Sequence, residues 1–165
     1  MIDVLAPEVG TNLRTVLGAS LFENSSVLKL MHGCLNSDLE WLIRDFGIKV
    51  VNVYDTQEFQ KQFVSKKDLS LAKLWERYCE GTAQIKISEK KELQESNWAA
   101  RPLRQDQLDY AANDTYFLWH ITHAQIAEAS TMSVLEAEIE TWFTQWCMRA
   151  HKVTYRPKHK NFEAG

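Results

Sequence analysis

Two short apolar runs with an amphipathic stretch between them limit most tightly what this chain can fold into. Residues 26–31, SVLKLM, read as a buried strand that stops at His32-Gly33. In the CLNSDLEWLIRDFG that follows, Leu35, Leu39, Leu42, Ile43 and Phe46 fall on one helical face. Asn36 or Ser37 is placed to cap that helix, and Gly47 to end it. IKVVNVYD supplies a second strand. Strand, helix and strand in that order predict a parallel βαβ unit, because parallel neighbours need a crossover connection.

The remaining pattern is helical. DTQEFQKQF is a short helix, and Ser70 can cap LAKLWERYC, which stops at Gly81. Residues 82–97 are polar and loop-like, with a short helix expected at 89–95. Pro102 marks the entry to a long helix over 104–129, with Leu108, Ala111, Ala112, Leu118 and Ile121 on its apolar face. A last helix covers 133–150 and aligns Leu135, Ile139, Trp142, Phe143 and Trp146. Those aromatic residues read as core packing rather than as a platform for nucleic-acid bases. A two-stranded parallel sheet is too small to be stable alone. The pattern therefore predicts an α/β fold that is short of strands and predominantly helical as it stands.

At 165 residues the chain is one domain's worth. Its formal net charge of −3 excludes a uniformly basic nucleic-acid glove, so contact with nucleic acid needs a local patch or metal ions. The three cysteines form no CxxC pair, which fits a reducing compartment. With no apolar run near 18 residues and no leader pattern, neither a membrane span nor a signal peptide is expected, and an intracellular setting is.

Three residues have the chemistry of a hydrolytic site. Tyr110 and Asp114 stand at i and i+4, on one helix face. A carboxylate there can bind a hard cation, and a phenol can orient a water or a phosphate oxygen. The same spacing also fits an ordinary amphipathic helix. Asp38 lies in the first turn of its helix, where it either complements the helix dipole or serves as a second metal carboxylate at the edge where open α/β sheets bind ligands.

Taken in order, SVLKLMHGCLNSDLEWLIRDFGI, VVNVYDTQ, SLAKLWERY, KKELQESNWAARPL and QLDYAAND resemble the exonuclease domain of the DEDDy superfamily, in its ribonuclease D branch and nearest its nuclear-exosome subgroup. The resemblance covers residues 1 to about 125. It implies a ribonuclease H-like exonuclease fold, two divalent metal ions (Mg²⁺ or Mn²⁺), and hydrolysis of the 3′-terminal phosphodiester with release of nucleoside 5′-monophosphates. Asp38 matches the second-motif aspartate, Asp114 the third-motif aspartate, and Tyr110 the tyrosine that orients the attacking water. His32 and Trp41 match positions that shape the site. Trp98, Arg101 and Pro102 match the W-x-x-RPL element before the third motif, and Lys91 matches a lysine suited to a phosphate contact. RNA is favoured over DNA as substrate, an exosome-like complex as partner, and the nucleus over the cytoplasm.

The family's first motif, Asp-x-Glu on the first strand, has no counterpart upstream of the segment that MIDVLAP matches. Residues 1–5 match the end of the family's third strand, so neither Asp3 nor Glu8 replaces the motif. The expectation is an N-terminally truncated exonuclease domain over 1–129, a C-terminal helix over 130–150 and a basic tail over 151–165. The edge of SVLKLM should then be an exposed apolar strand. The alternative is an inactive pseudo-exonuclease that binds RNA or a protein partner. His32-x-Cys34 and His120-x-x-His123 do not have the spacing of a structural zinc site. Arg149, Lys152, Arg156, Lys158 and Lys160, interleaved with Tyr155, could meet an RNA backbone or form a solvated end.

Overall fold

In the computed structural model, residues 12–79 and 87–154 are described. The expectations for residues 1–5, Glu8, Gly81, Tyr155, Arg156, Lys158 and Lys160 lie outside them. Two strands, β1 (Lys29–Met31) and β2 (Val53–Asp55), pair in parallel with Lys29 opposite Val53 and Met31 opposite Asp55. Helix α1 (Arg14–Phe22), wound as a π-helix, precedes them. Between them run a 3₁₀ turn (Cys34–Asn36) and α2 (Asp38–Phe46). Next come α3 (Thr56–Phe59), extended by a π turn over Gln60–Val64, then α4 (Leu71–Tyr78), α5 (Ile87–Gln94), α6 (Gln105–Thr131) and α7 (Glu136–His151). The predicted parallel βαβ unit and the helical excess are both present.

Glycine sets the turns at both ends of the crossover. Gly33 leaves β1 at φ 61°, and Gly47 ends α2 at φ 64°, a region costly for residues with a Cβ. The N–H groups of Gly47 and Ile48 close α2 onto the carbonyls of Ile43 and Leu42. Ser37 occupies the cap position of α2 but its side chain accepts no helix N–H. Its Oγ lies instead 3.1 Å from the Gly33 carbonyl and 3.2 Å from Asp38 Oδ2. Ser70 does cap α4, accepting from the Lys73 N–H. Helix α5 starts two residues earlier than expected, and α7 starts later, because Ser133 takes a positive φ and breaks the helical run.

Three apolar clusters hold these elements. Leu39 and Cys34 from the crossover pack with Ile48, Val50 and Val53 and with Trp146 and Ala150 of α7. Leu74 and Trp75 of α4 pack on Phe117 and Ile121 of α6. Tyr54, Phe59 and Ala129 form the third cluster, with Phe63, Trp142 and Phe143 packed on it. Phe59, Leu39 and Ile48 are almost wholly buried; each such side chain contributes about 1.5–3 kcal/mol. Trp142, Phe143 and Trp146 are thus core residues, as their spacing predicts, whereas Leu135 is 65% exposed.

Helix α6 departs from its expected face. Ala112 is exposed, while Gln107 and Gln125 are buried. Gln125 Nε2 donates to the Thr56 carbonyl at 2.8 Å and to Gln60 Oε1 at 2.9 Å, and Tyr54 donates to Gln125 Oε1. A buried amide with partners at both ends costs little, so a polar residue can replace an apolar one there. The apolar edge of β1 is narrower than predicted: Leu28 is 48% exposed, but Leu30 and Met31 are half-buried and Lys29 is buried. Lys29 Nζ donates to the carbonyls of Asn24 and Val27. Among the described residues no helix is long and apolar enough to cross a membrane.

Candidate active site

The end of β1, the start of α2 and the first turns of α6 face one another across an open cleft of about 670 Å³. His32, Asp38, Lys91, Tyr110 and Asp114 all line it. Five of the seven residues singled out in the sequence therefore meet in one place, drawn from four separate elements or turns.

Asp38 opens α2 beside the turn that leaves β1. Burial raises its carboxyl pKa above the ordinary range; hydrogen bonds from Ser37 and from backbone oppose this, and the nearby Asp55 charge adds to it. A carboxylate so desolvated gains from an adjacent positive charge. Tyr110 is buried on α6, its ring 5.9 Å from that of Trp98. Burial first, then the charge and hydrogen bond of Asp114, push its phenol well above the ordinary value. The phenol therefore stays protonated and donates to the carboxylate one turn along. His32 lies across the cleft, Nδ1 at 2.9 Å from Thr56 Oγ1. Lys91 reaches the rim with an 80% exposed side chain, 4.0 Å from Glu95.

The other two predicted residues sit elsewhere. Trp41 is 50% exposed on α2 and does not line the cleft. Arg101 turns its Nη1 onto the carbonyls of Trp98 and Ala100 and supports the loop before α6. That loop is also tied down by Trp98 Nε1 on the Leu93 carbonyl and by Gln107, which bonds Ser96 and Asn97 and accepts from the Arg104 N–H. Arg149 pairs with Glu58 at 3.6 Å in a separate groove between α3 and α7. His120 and His123 are exposed on α6, each against an aromatic ring.

Sequence reading missed Asp55 and Thr56, both fully buried where β2 passes into α3. Asp55 accepts from the N–H groups of Gly33 and Cys34 as well as those of Gln57 and Glu58. A charged residue closing an apolar strand was the available signal.

Asp38 and Asp114 offer hard oxygen donors, the type that suits Mg²⁺ or Mn²⁺. Among the described residues no three His, Cys, Asp or Glu side chains gather as a complete metal cage. Two carboxylates and a phenol supply part of one.

Comparison with known proteins fits this geometry. Residues 13–126 match the family model for a 3′–5′ exonuclease. The chain is 33% identical over 141 residues to an exosome complex component 10 homolog of Caenorhabditis elegans, covering 83% of this chain and 15% of the relative. It is 35% identical over 106 residues to human exosome complex component 10, covering 64% and 11%. The chain thus spans a small fraction of these relatives' length. Among solved structures, the RRP6 catalytic core of Trypanosoma brucei superposes with a TM-score of 0.67 at 23% identity, over 84% of this chain and 35% of that one. Escherichia coli RNase D, an exoribonuclease involved in structured RNA processing, gives 0.61 at 26% identity, over 86% and 34%. The chain belongs to the 3′–5′ exonuclease family, in its ribonuclease D-like DEDDy branch.

Proposed function

We propose that the cleft is part of a two-metal exonuclease site that removes nucleotides from the 3′ end of RNA, with Asp38 and Asp114 as metal ligands and Tyr110 as the group that orients water. One observation carries this reading: the second- and third-motif residues, far apart in sequence, line the same cleft. The hard-oxygen donor set fits a divalent cation, and Asp38 is a half-buried carboxylate that such a charge would relieve. When bound, Mg²⁺ or Mn²⁺ supplies Lewis-acid stabilisation of the oxygens that gain charge.

The chain's own residues do the rest. Tyr110, held protonated against Asp114, keeps its oxygen as an acceptor toward a water in the cleft. Lys91 at the rim meets a phosphate oxygen as a mobile point charge. His32 faces the substrate from the β1 side. Trp41 and Arg101 act through the surface and the loop around the cleft. The exonuclease unit runs to about residue 129, and α7 closes its core.

RNA is the preferred substrate because the relatives are exosome components and an exoribonuclease. The same names support association with an exosome-like complex, and the nucleus is the compartment we propose for it. A second reading, a silent exonuclease fold that binds RNA or a protein, is favoured by the incomplete cage among the described residues.

The test is release of nucleoside 5′-monophosphates from a single-stranded RNA in Mg²⁺. Asp114→Asn should reduce the rate about a hundredfold or more while RNA binding persists. Wild-type rates from that variant would remove Asp114 from the mechanism. RNA binding without Mg²⁺-dependent release from the unaltered chain would establish the second reading.

A further inference from the structure

Behind the cleft, where β2 passes into α3, two polar side chains are wholly buried: Asp55 and Thr56. The Asp55 carboxylate is held by backbone at both oxygens, and it also meets the Cys34 thiol through a side-chain hydrogen bond. Its Oδ1 accepts from Gly33 at 3.0 Å and from Gln57 and Glu58 at 2.9 and 3.3 Å, and its Oδ2 accepts from Cys34 at 2.9 Å. With both oxygens engaged by four N–H groups, this carboxylate ties the start of α3 to the turn that leaves β1. That turn continues through Cys34–Asn36 into Asp38, so its placement sets where the Asp38 carboxylate stands.

Thr56 acts on the same turn. Its hydroxyl lies 3.2 Å from the Met31 carbonyl and 2.9 Å from His32 Nδ1. A hydroxyl has one proton, and a carbonyl oxygen can only accept. Both contacts are hydrogen bonds at once only if that proton goes to Met31 and His32 carries its own on Nδ1 and donates to Thr56. Neutral imidazole free in water favours the other tautomer, so Thr56 reverses the ring's ordinary preference.

We infer that Asp55 and Thr56 are positioning residues for the His32–Asp38 wall of the cleft, Asp55 by clamping the turn and Thr56 by fixing neutral His32 as the Nδ1–H tautomer. This deepens the nuclease reading and takes its functional meaning from it. The tautomer itself is a property of the folded chain and can be read with no metal and no RNA present.

The experiment is a long-range ¹H–¹⁵N spectrum of the imidazoles of the whole chain at about pH 8.5, two units above an ordinary histidine pKa. His32 should show one protonated Nδ1 and one bare Nε2. Thr56→Val should move the ring to Nε2–H or to a mixture, and Thr56→Ser should restore the original pattern. Asp55→Asn should speed amide exchange at Gly33 and Cys34 by about tenfold or more, with the helix α6 amides little changed. His32 found as Nε2–H in the unaltered chain, or unmoved in Thr56→Val, overturns the inference. If Thr56→Val does not fold, the spectrum of the unaltered chain still decides. Failure of the nuclease assay leaves the tautomer result intact, and failure of the tautomer test leaves the role of Asp114 intact.

Discussion

The two walls of the cleft are built by different physics. The β1–α2 wall, with His32 and Asp38, is held by buried polar bonds from Asp55 and Thr56 to named backbone and side-chain atoms. The α6 wall, with Tyr110 and Asp114, is held by shape: Trp98 packs on Tyr110, and Phe117 and Ile121 pack on α4. Directional bonds fix a turn of irregular backbone, which has no ladder of its own to hold it. A helix already satisfies its backbone, so apolar packing suffices to place it. Damage to the first wall should therefore act through stranded polar groups, and damage to the second through lost volume.

The sharpest break is Asp55→Ala. It strands four backbone N–H groups and should cost about 4 kcal/mol in urea unfolding. A loss under about 1 kcal/mol would mean that the clamp is not what holds the turn. Ile121→Ala on the opposite wall should cost about 3 kcal/mol through the cavity it leaves, yet leave the His32 ring spectrum unchanged. A changed tautomer in that variant would show that the walls are not separable. Gln125→Leu links the two cases, since Gln125 on α6 bonds the Thr56 carbonyl. It should cost about 2 kcal/mol by stranding the buried Tyr54 hydroxyl and removing one of the donors to the Thr56 carbonyl and the Gln60 amide oxygen. Tyr110→Phe should cost about 1 kcal/mol in stability and far more in nuclease rate, which unfolding curves and RNA digestion would separate.

The smallest effect has a sign set by burial. The Asp38 carboxyl pKa is raised on folding, so ionised Asp38 opposes the fold at neutral pH. That penalty fades as pH falls through the raised folded value and vanishes below the unfolded value of about 3.9. Asp38→Asn should thus raise the melting temperature slightly near pH 7 and not near pH 3.5. Equal shifts at both pH values would show that the effect is not ionic.

The same contrast explains what could be read in the sequence. The βαβ unit, the stop at Gly47, the cap at Ser70 and the long helix bearing Tyr110 and Asp114 all follow from periodicity and turn chemistry, which act over a few residues. Asp55 caps α3, and its bonds to residues 33 and 34 depend on strand pairing, which no local pattern shows. Gln107 and Gln125 are buried outside the expected apolar face because their partners lie on other segments. Ser37 failed as a cap because its hydroxyl turns to Gly33 and Asp38 instead. Ordered motifs brought His32, Asp38, Lys91, Tyr110 and Asp114 to one site, while the lateral position of Trp41 and Arg101 depended on how their helix and loop pack.

Asp38 and Asp114 are proposed to hold divalent cations side by side in one cleft. The direct measurement is a Mn²⁺ titration of the ¹⁵N-labelled chain, read as paramagnetic broadening of assigned amides. Signals around Asp38 and around Asp114 should broaden together and recover in excess Mg²⁺, with the broadening around Asp114 reduced in Asp114→Asn. Broadening confined to one wall, or none near either residue, would contradict that arrangement.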